Sequence, residues 1–476
     1  MGDFDPSRAI TRRIMGIETE YGIACIDDRT GSAPHAADEV ARLAFRPLVD
    51  AYNSTNVFIS NAGRLYLDVG SHPEFATPEC DSLSQLVTYE QAGDRIVTDL
   101  AQKAERRIAE LDTPDAAGAG VYMFKNNSDS AGSSYGCHEN YLVGRDVSVK
   151  KLGAILLPFL ITRQLFCGAG RVAIPQRGNP ATEFGPGFCI SQRADFMWEG
   201  VSSATTRSRP MINTRDEPHA DSSRYRRLHV IVGDSNICQV STALKVGTTL
   251  LLLEMIEAGV ELPTFDMVNS VDSIRRVARS LDGSQLVHIT EGVDVSALDI
   301  QRQYHEHACA WLEKREEDPG ELTRIVELWG TILDAIGSGN LDAIARDVDW
   351  VAKYRLLLGL KERHGLEWDN PKLRHVDLMY HDIRPGRGIG PKLVARGLLN
   401  SWVNESAVQK ATTVAPETTR AHLRGTFLTA ARQAGIDTSV DWMRLKILRP
   451  EPALVELKDP FQNENPDVEE LLCRMR

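Results

Sequence analysis

Alternate residues of one short segment carry the side chains that are best suited to binding and catalysis. A β-strand sends successive side chains to opposite faces, so Arg64, Tyr66 and Asp68 share one face while Leu65 and Leu67 share the other. A guanidinium, a phenol and a carboxylate on one face are costly to bury without partners. This face is therefore either a solvated edge or the floor of a polar site.

Acidic residues elsewhere favour the polar site. Glu18 and Glu20 fall on one face of a second strand, with Cα atoms about 7 Å apart at about 3.3–3.4 Å per residue. An isolated pair of this kind can simply decorate a solvent-facing edge. Glu74, which follows the first strand, adds a third carboxylate. Several carboxylates at one site suit Mg²⁺, a hard cation that prefers oxygen ligands and often shares them with phosphates.

Two further groups of residues could face the same site. His138 and Asn140 alternate on a strand after an Asn/Gly/Ser-rich loop, where they could contact a metal or a phosphate, although a lone histidine is often a core residue. A run of arginines offers either a positive groove or a solvated face. The arginines are Arg207, Arg209, Arg215, Arg224, Arg226 and Arg227.

Common nucleotide and metalloprotease motifs are missing from the sequence. It has no G-x-x-x-x-G-K-[ST] loop and no H-E-x-x-H helix. Gly386, Gly388 and Gly390 fit neither a Walker loop nor a Rossmann turn, and we predict a basic loop there. His305 and His307 lie in a helical stretch, where successive residues diverge by about 100°, and are predicted to be surface residues.

Composition limits the classes of binding partner and the cellular compartment that the sequence fits. The 476-residue chain has a formal net charge of −12, which disfavours non-specific nucleic-acid binding. Its polar N-terminus predicts no signal peptide, and its most apolar stretch, residues 248–256, is too short to span a bilayer. Eight scattered cysteines without a C-x-x-C motif indicate a reducing compartment. We expect a cytoplasmic protein with no nucleic-acid and no membrane partner.

Strand-like segments carry the polar residues, and helical segments separate them. Because these strands look antiparallel and the helices are segregated between them, the pattern fits an α+β fold better than a doubly wound sheet. A Gly/Pro-rich stretch, residues 168–187, is predicted to be a surface loop. Periodicity predicts helices over residues 38–52, 82–111, 150–166, 241–259 and, as a compact module, 404–435.

Five long segments match one known family. They are residues 14–22 (IMGIETEYG), 64–74 (RLYLDVGSHPE), 134–141 (SYGCHENY), 213–221 (NTRDEPHAD) and 226–234 (RRLHVIVGD). These segments resemble the Pup–protein ligases, the proteasome accessory factor A family. The resemblance runs from Arg12 to about Pro460.

The resemblance implies both a fold and a reaction. It implies a large glutamine synthetase-like domain, residues 1–400, with a mainly antiparallel β-sheet cradle packed by helices. A small C-terminal domain, residues 401–476, would contribute to the nucleotide site. The implied enzyme is an ATP-dependent carboxylate–amine ligase. It joins the C-terminal glutamate of the prokaryotic ubiquitin-like protein Pup to lysines of substrate proteins, marking them for a bacterial proteasome.

The resemblance also implies roles for seven residues, with ATP and Mg²⁺ as cofactors. ATP would convert a poorly electrophilic carboxylate into a γ-glutamyl phosphate, and a base would accept a proton from the lysine, whose pKa is about 10.4. The implied roles are magnesium ligand (Glu18, Tyr66, Glu74), ATP contact (Arg64, Thr77, Trp442) and catalytic proton acceptor (Asp68).

Other functions stay open on the sequence alone. A Pup deamidase or depupylase would share the fold and several of these segments but would hydrolyse the bond. A small-molecule ligase would consume free glutamate, and a non-catalytic adaptor would bind Pup without releasing ADP. The basic run at residues 207–227 is a candidate groove for Pup, which the resemblance implies is acidic and disordered.

Overall fold

The computed structural model describes most of the chain. The described residues are 4–68, 70–111, 119–129, 132–174, 180–203, 209–315, 317–449 and 451–475. Val69 and Arg207, which belong to segments discussed above, lie outside them.

The strands of the described residues form one large sheet and several small ones. They are β1 Met15–Glu20, β2 Gly22–Asp27, β3 Asn56–Phe58, β4 Arg64–Leu67, β5 Pro73–Ala76, β6 Ala119–Phe124, β7 Cys137–Gly144, β8 Arg171–Ala173, β9 Gly187–Cys189, β10 Glu199–Ser202, β11 Pro210–Asn213, β12 Tyr225–Val230, β13 Leu286–His288, β14 Asp294–Ser296, β15 Thr438–Val440, β16 Arg444–Ile447 and β17 Ala453–Glu456.

Helices account for about half of the remaining described chain. They are α1 Ala37–Tyr52, α2 Leu83–Leu111, α3 Val149–Thr162, α4 Gln164–Cys167, α5 Gln239–Ala258, α6 Ser270–Val277, α7 Ala297–Leu312, α8 Glu321–Gly337, α9 Asp349–His364, α10 Pro371–Tyr380, α11 Ile389–Ala395, α12 Glu405–Ala411, α13 Ala421–Ala434 and α14 Pro466–Cys473. None of these helices is both long and apolar enough to cross a membrane.

The large sheet has eight strands in the order β10-β11-β12-β7-β1-β5-β4-β3. Each neighbouring pair is antiparallel except β10 and β11, which are parallel. The predicted α+β fold with a mainly antiparallel sheet is confirmed. The order places β1 between β5 and β7, so segments far apart in sequence become neighbours.

One face of the large sheet packs on the core. Ile17, Leu65 and Phe75 lie on this face and are almost completely buried. Helix α2 lies against β1 and β5, and α5 lies against β7. All residues of α5 are buried, which confirms the predicted buried helix. The opposite face of the sheet carries the polar residues.

Two local predictions are wrong in part. Part of the Gly/Pro-rich stretch predicted as a surface loop forms strand β8, which pairs with β9 and buries Val172, and residues 175–179 of that stretch lie outside the described residues. Each strand has only three residues, too few for a period-2 pattern to show in the sequence. The predicted helix over residues 150–166 is interrupted at Arg163, whose buried side chain forms an ion pair with Glu139.

The predicted basic loop near residue 386 also needs correction. Of its two arginines, Arg384 is buried and pairs with Asp382, 2.7 Å away, whereas Arg387 is exposed. The loop ends earlier than predicted, because α11 already includes Gly390. The positive charge of this turn is therefore partly neutralised inside the protein.

A second hydrophobic cluster forms at the C-terminal end. Strands β15–β17 form an antiparallel sheet that packs with α13 and α14, burying Phe427, Leu445 and Val455. Helix α12 instead adds Val408 and Ala411 to the main cluster. The division of the chain into domains at residue 400 stays a prediction.

Candidate active site

The register of three strands sets acidic side chains side by side on the polar face. Glu20 of β1 pairs with Glu74 of β5, which in turn pairs with Tyr66 of β4. The Tyr66 hydroxyl donates a hydrogen bond to Glu74. Burial, the Glu18 and Glu74 charges and this bond raise the pKa of Tyr66 well above its ordinary value. The phenol is therefore protonated and bonded to its neighbour.

Asp68 joins this row just beyond the end of β4. The backbone N–H of Asp68 donates to the carbonyl of His72 (2.9 Å), and that of Ser71 donates to the carbonyl of Asp68 (2.9 Å). The turn brings ligand oxygens of Glu20, Asp68 and Glu74 within 4.8 Å of one another. Three carboxylates at this spacing form the first candidate metal group.

Crowding of negative charge has a clear electrostatic effect on Glu74. Burial, followed by the charges of Glu18 and Glu20, raises the pKa of Glu74 well above its ordinary range. A cation bound between these carboxylates would counteract both effects, because it replaces lost hydration and opposes the repulsion. The donor set is all oxygen, which fits Mg²⁺.

Imidazoles build a second candidate metal group on the same face. Glu18 lies opposite His138 of β7, and His229 of β12 lies beside Asn140. Ligand atoms of Glu18, His138 and His229 lie within 4.8 Å of one another. Asn140 Nδ2 also donates to Glu18 Oε1 at 3.0 Å.

The protonation states of this second group suit a cation. Burial lowers the pKa of His229 to about 3, and the neighbouring His138 adds to the shift. The Nε2 atom of His229 is buried and has no hydrogen-bond partner among the described residues. Burial works to raise the pKa of Glu18, but His138, His229 and Arg227 outweigh it, and the net shift is downward. An ionised carboxylate thus faces neutral His229.

A cleft extends from Glu18 towards the C-terminal sheet. Thr77 follows β5 and accepts a hydrogen bond from the backbone N–H of Ile17 through Oγ1 (3.1 Å). Trp442 lies in the turn between β15 and β16. Glu18, Thr77 and Trp442 all line this cleft, which is open to solvent. Pro218 and His219 add to its apolar and aromatic lining.

Arg64 lies at the far side of the acidic row. Its guanidinium carbon is 4.7 Å from the centre of the Tyr66 ring, and Nε donates to Asn56 Oδ1 at 2.8 Å. This stacking orients the guanidinium along the polar face. Arg64 pairs with Ala76, which pairs with Glu18, so these three residues form one row across the sheet. The remaining N–H groups are suited to a phosphate.

The structure therefore brings the seven predicted residues onto one side of the molecule, and their roles stay predictions. Glu18 belongs to the imidazole group, however, whereas Glu74 belongs to the carboxylate row. Sequence reasoning raised Glu20 and His138 as possible cation or phosphate contacts but gave them no role among the seven residues, and it did not single out His229. Strand alternation placed each on a polar face, but only the strand order reveals that these faces are continuous.

The predicted arginine run is divided by the sheet. Arg227 lies on the polar face, 4.0 Å from Glu18, and donates to Asn140 Oδ1 at 3.3 Å. Arg226 points to the other face by strand alternation. Arg215 is half-exposed and pairs with Glu217 at 2.7 Å. Within the described residues this run is thus not one continuous basic groove.

Together, the fold and this face define an α+β protein. One face of its main sheet carries carboxylates and imidazoles, and a cleft with aromatic residues in its lining lies beside them. Residues 13–446 match the family described as Pup-ligase protein. The chain is 54% identical over 470 residues to the Pup–protein ligase of Corynebacterium glutamicum strain R, covering 98% of this chain and 96% of that protein. It is 50% identical over 464 residues to Pup–protein ligase 1 of Rhodococcus erythropolis, covering 98% and 100%. The chain belongs to the Pup-ligase family.

Solved structures agree with the sequence comparison. The crystal structure of the complex between the prokaryotic ubiquitin-like protein Pup and its ligase PafA matches with a TM-score of 0.93 at 51% identity, covering 99% of this chain and 92% of that one. A structure of the Pup ligase PafA in complex with ADP matches with a TM-score of 0.85 at 53% identity, covering 92% and 94%.

Proposed function

We infer that this chain is an ATP-dependent Pup–protein ligase, which attaches Pup to substrate proteins. The observation that carries this function is its family membership along almost the whole chain, at 54% identity to a Pup–protein ligase. The ADP bound to a related ligase supports ATP as the cosubstrate. Pup bound to another supports Pup as the partner. A cytoplasmic location stays a prediction.

The finer chemistry is a proposal in two steps. First, the side-chain carboxylate of the C-terminal glutamate of Pup attacks the γ-phosphorus of ATP, which gives a γ-glutamyl phosphate and ADP. Second, a lysine amine of the substrate attacks the acyl carbon, forming an isopeptide bond and releasing phosphate. The first step makes the carboxylate electrophilic, and the second needs the amine to lose a proton.

We propose that Mg²⁺ binds at the polar face of the sheet. Glu18, Tyr66 and Glu74 are the ligands that the family resemblance implies, and the geometry adds Glu20 to the carboxylate row. When bound, Mg²⁺ neutralises charge on the phosphates of ATP. The raised pKa of Glu74 and the unpartnered Nε2 of His229 support cation binding, because Glu74 is buried among other carboxylates and His229 Nε2 has no hydrogen-bond partner among the described residues.

The remaining predicted residues have separate proposed tasks. Trp442 and Thr77 line the cleft beside Glu18, where the nucleotide is proposed to bind. Arg64 can contact phosphate oxygens in a bidentate manner. Asp68 lies at the end of the carboxylate row, and we propose that it accepts the proton of the attacking lysine.

A gel-shift assay tests the function directly. The protein is incubated with Pup ending in glutamate, ATP, Mg²⁺ and a lysine-bearing protein, and we expect a new band whose mass is the sum of Pup and substrate less one water. Omission of ATP should abolish the band. Release of Pup from a purified conjugate, without formation of new conjugate, would instead identify a depupylase. Pup binding without ADP release would identify an adaptor.

A further inference from the structure

Trp442 lines the cleft, yet it lies in a turn and not in a strand or a helix. The turn between β15 and β16 is closed by local hydrogen bonds, from the Met443 N–H to Asp441 Oδ1 (2.7 Å) and from the Asp441 N–H to the carbonyl of Arg444 (3.1 Å). These bonds shape the turn but do not connect it to the main sheet. The position of the indole relative to Glu18 and Thr77 therefore depends on contacts from outside the turn.

Arg424 of α13 supplies such contacts. Its side chain is completely buried, and Nη2 donates to the backbone carbonyl of Trp442 at 2.8 Å. Its guanidinium carbon lies 5.1 Å from the centre of the Trp442 ring and 4.9 Å from that of Phe58. Phe58 of β3 meets Trp442 edge to face, with ring centres 4.8 Å apart. One cation thus holds both the backbone and the ring of Trp442.

The same guanidinium is fixed to the main sheet. Arg424 Nη1 and Nη2 donate to the two carboxylate oxygens of Glu79 at 2.7 and 2.6 Å, and Nη1 also reaches the carbonyl of Ala62 at 3.3 Å. Glu79 is two residues beyond Thr77 and lines the same cleft. Arg420 donates to Glu79 as well, through Nε at 2.7 Å. The chain of contacts from Thr77 to Trp442 is therefore short and buried.

We propose that Arg424 is a positioning residue that fixes Trp442 against the nucleotide cleft and thereby sets the affinity for ATP and ADP. This inference rests on the proposed function as a nucleotide-dependent enzyme. A planar guanidinium can chelate a carboxylate, donate to a carbonyl and stack on a ring at the same time. A lysine ammonium carries the same charge but lacks the planar fork, so Arg424→Lys separates charge from geometry.

Titration calorimetry with Mg²⁺ and ADP tests the proposal on the full chain. We expect Arg424→Lys to weaken ADP binding by roughly tenfold, the size of effect that follows from losing one or two charge-assisted contacts. Arg424→Gln is the second variant and should weaken binding at least as much. Both variants should fold, because Arg420 still pairs with Glu79. The KM for ATP should rise more than kcat falls.

Fluorescence of Trp442 distinguishes a positioning role of Arg424 from a purely structural one. Its emission is obtained as the difference between each protein with and without Trp442→Phe, and we expect it to shift to longer wavelength in Arg424→Lys. The matched control is Arg315→Lys, which alters another buried, bidentate arginine–glutamate pair, with Glu254 in α5. The control should leave ADP affinity unchanged.

The proposal is overturned if Arg424→Lys binds ADP as the parent does, if affinity falls without a change in Trp442 emission, or if Arg315→Lys weakens ADP binding equally. ADP binding and fluorescence are measured without Pup or conjugation. A chain that binds ADP as expected but never conjugates Pup would therefore refute the ligase function and leave the role of Arg424 standing.

Discussion

Asp68 combines two properties at the scale of a single residue. Its carboxylate meets those of Glu20 and Glu74, and its backbone closes the turn to His72. Asparagine keeps the size and the backbone but accepts no proton. We predict that Asp68→Asn folds and binds ADP like the parent while its conjugation rate falls by about 10²–10⁴, the usual contribution of a general base. Single-turnover gel-shift assays at saturating ATP measure this, and conjugation at the parental rate would contradict the assignment.

Tyr66 offers a milder change in the same row. Tyr66→Phe keeps the ring beneath Arg64 but removes the hydroxyl that bonds to Glu74. Since that hydroxyl is a proposed Mg²⁺ ligand and orients a second one, we predict a several-fold higher Mg²⁺ concentration at half-maximal conjugation. Magnesium titrations of the conjugation rate measure it. Tyr304→Phe, which removes a buried hydroxyl bonded to Ile155, is the control and should not shift the titration.

Strand β7 shows how an element positions the site. Gly136 directly precedes it, and a Cβ added there would lie 2.7 Å from Glu20 Oε1 and would also strike the His138 ring. Both obstacles are ends of side chains, so the backbone need not move. We predict that Gly136→Ala leaves the melting temperature within a few degrees of the parent but lowers the conjugation rate at least about tenfold, because small misplacements at a reacting centre are costly.

A glycine in open space provides the control for that change. Gly359 lies in α9, and a Cβ added there would meet nothing within 4 Å. Gly359→Ala should therefore keep full activity and stabilise the helix by about 0.5–1 kcal/mol. Unfolding of Gly136→Ala alone would show that Gly136 serves the fold rather than the site, and equal loss of activity in both variants would show that the loss is not specific to the site.

The elements also show how far a sequence can be read. Alternation correctly placed Arg64, Tyr66 and Glu18 on polar strand faces, and helical periodicity correctly identified α2 and α5, because both signals are local. Strand order is not local. Neither β7 nor β12 carries a local signal that His138 and His229 lie near Glu18, since that contact follows from pairing between strands far apart in the sequence.

Family resemblance supplied what periodicity could not. Trp442 lies more than three hundred residues from Thr77, yet both line one cleft, and only the roles implied by the resemblance connected them in advance. The three-residue strands β8 and β9 were missed because they are too short to show a pattern. The buried state of Arg384 was missed because its partner, Asp382, is set by a turn rather than by a repeat.

At the scale of the whole molecule, Glu79 links the two hydrophobic clusters. It follows β5 of the main sheet and pairs with Arg420 and Arg424 of the C-terminal cluster at 2.7 and 2.6 Å. Burial alone would raise the pKa of Glu79, but the two guanidinium charges outweigh burial and lower it from about 4.5 to about 2. The ionised carboxylate is thus favoured in the folded protein relative to the unfolded chain.

This lowered pKa predicts how acid weakens the folded protein. A carboxyl group whose pKa is lower in the folded than in the unfolded state adds stability above its unfolded pKa, and that stability is lost as pH falls towards the folded value. For Glu79 the window runs from about pH 4.5 down to about pH 2, and the contribution is of the order of 3 kcal/mol. Glu79→Gln should be clearly less stable at pH 7, because two arginines lose their buried partner.

Urea unfolding from pH 7 to pH 3 measures this contribution. The difference in unfolding free energy between the parent and Glu79→Gln should be constant down to about pH 5 and should narrow below it. Protonation of Glu79 removes from the parent the charge interaction that the variant already lacks. Asp342→Asn, which breaks an exposed ion pair with Arg355, is the control and should change the unfolding free energy by less than about 1 kcal/mol. A gap that stays constant to pH 3 would mean that the joint between the clusters is held by packing rather than by the charge of Glu79.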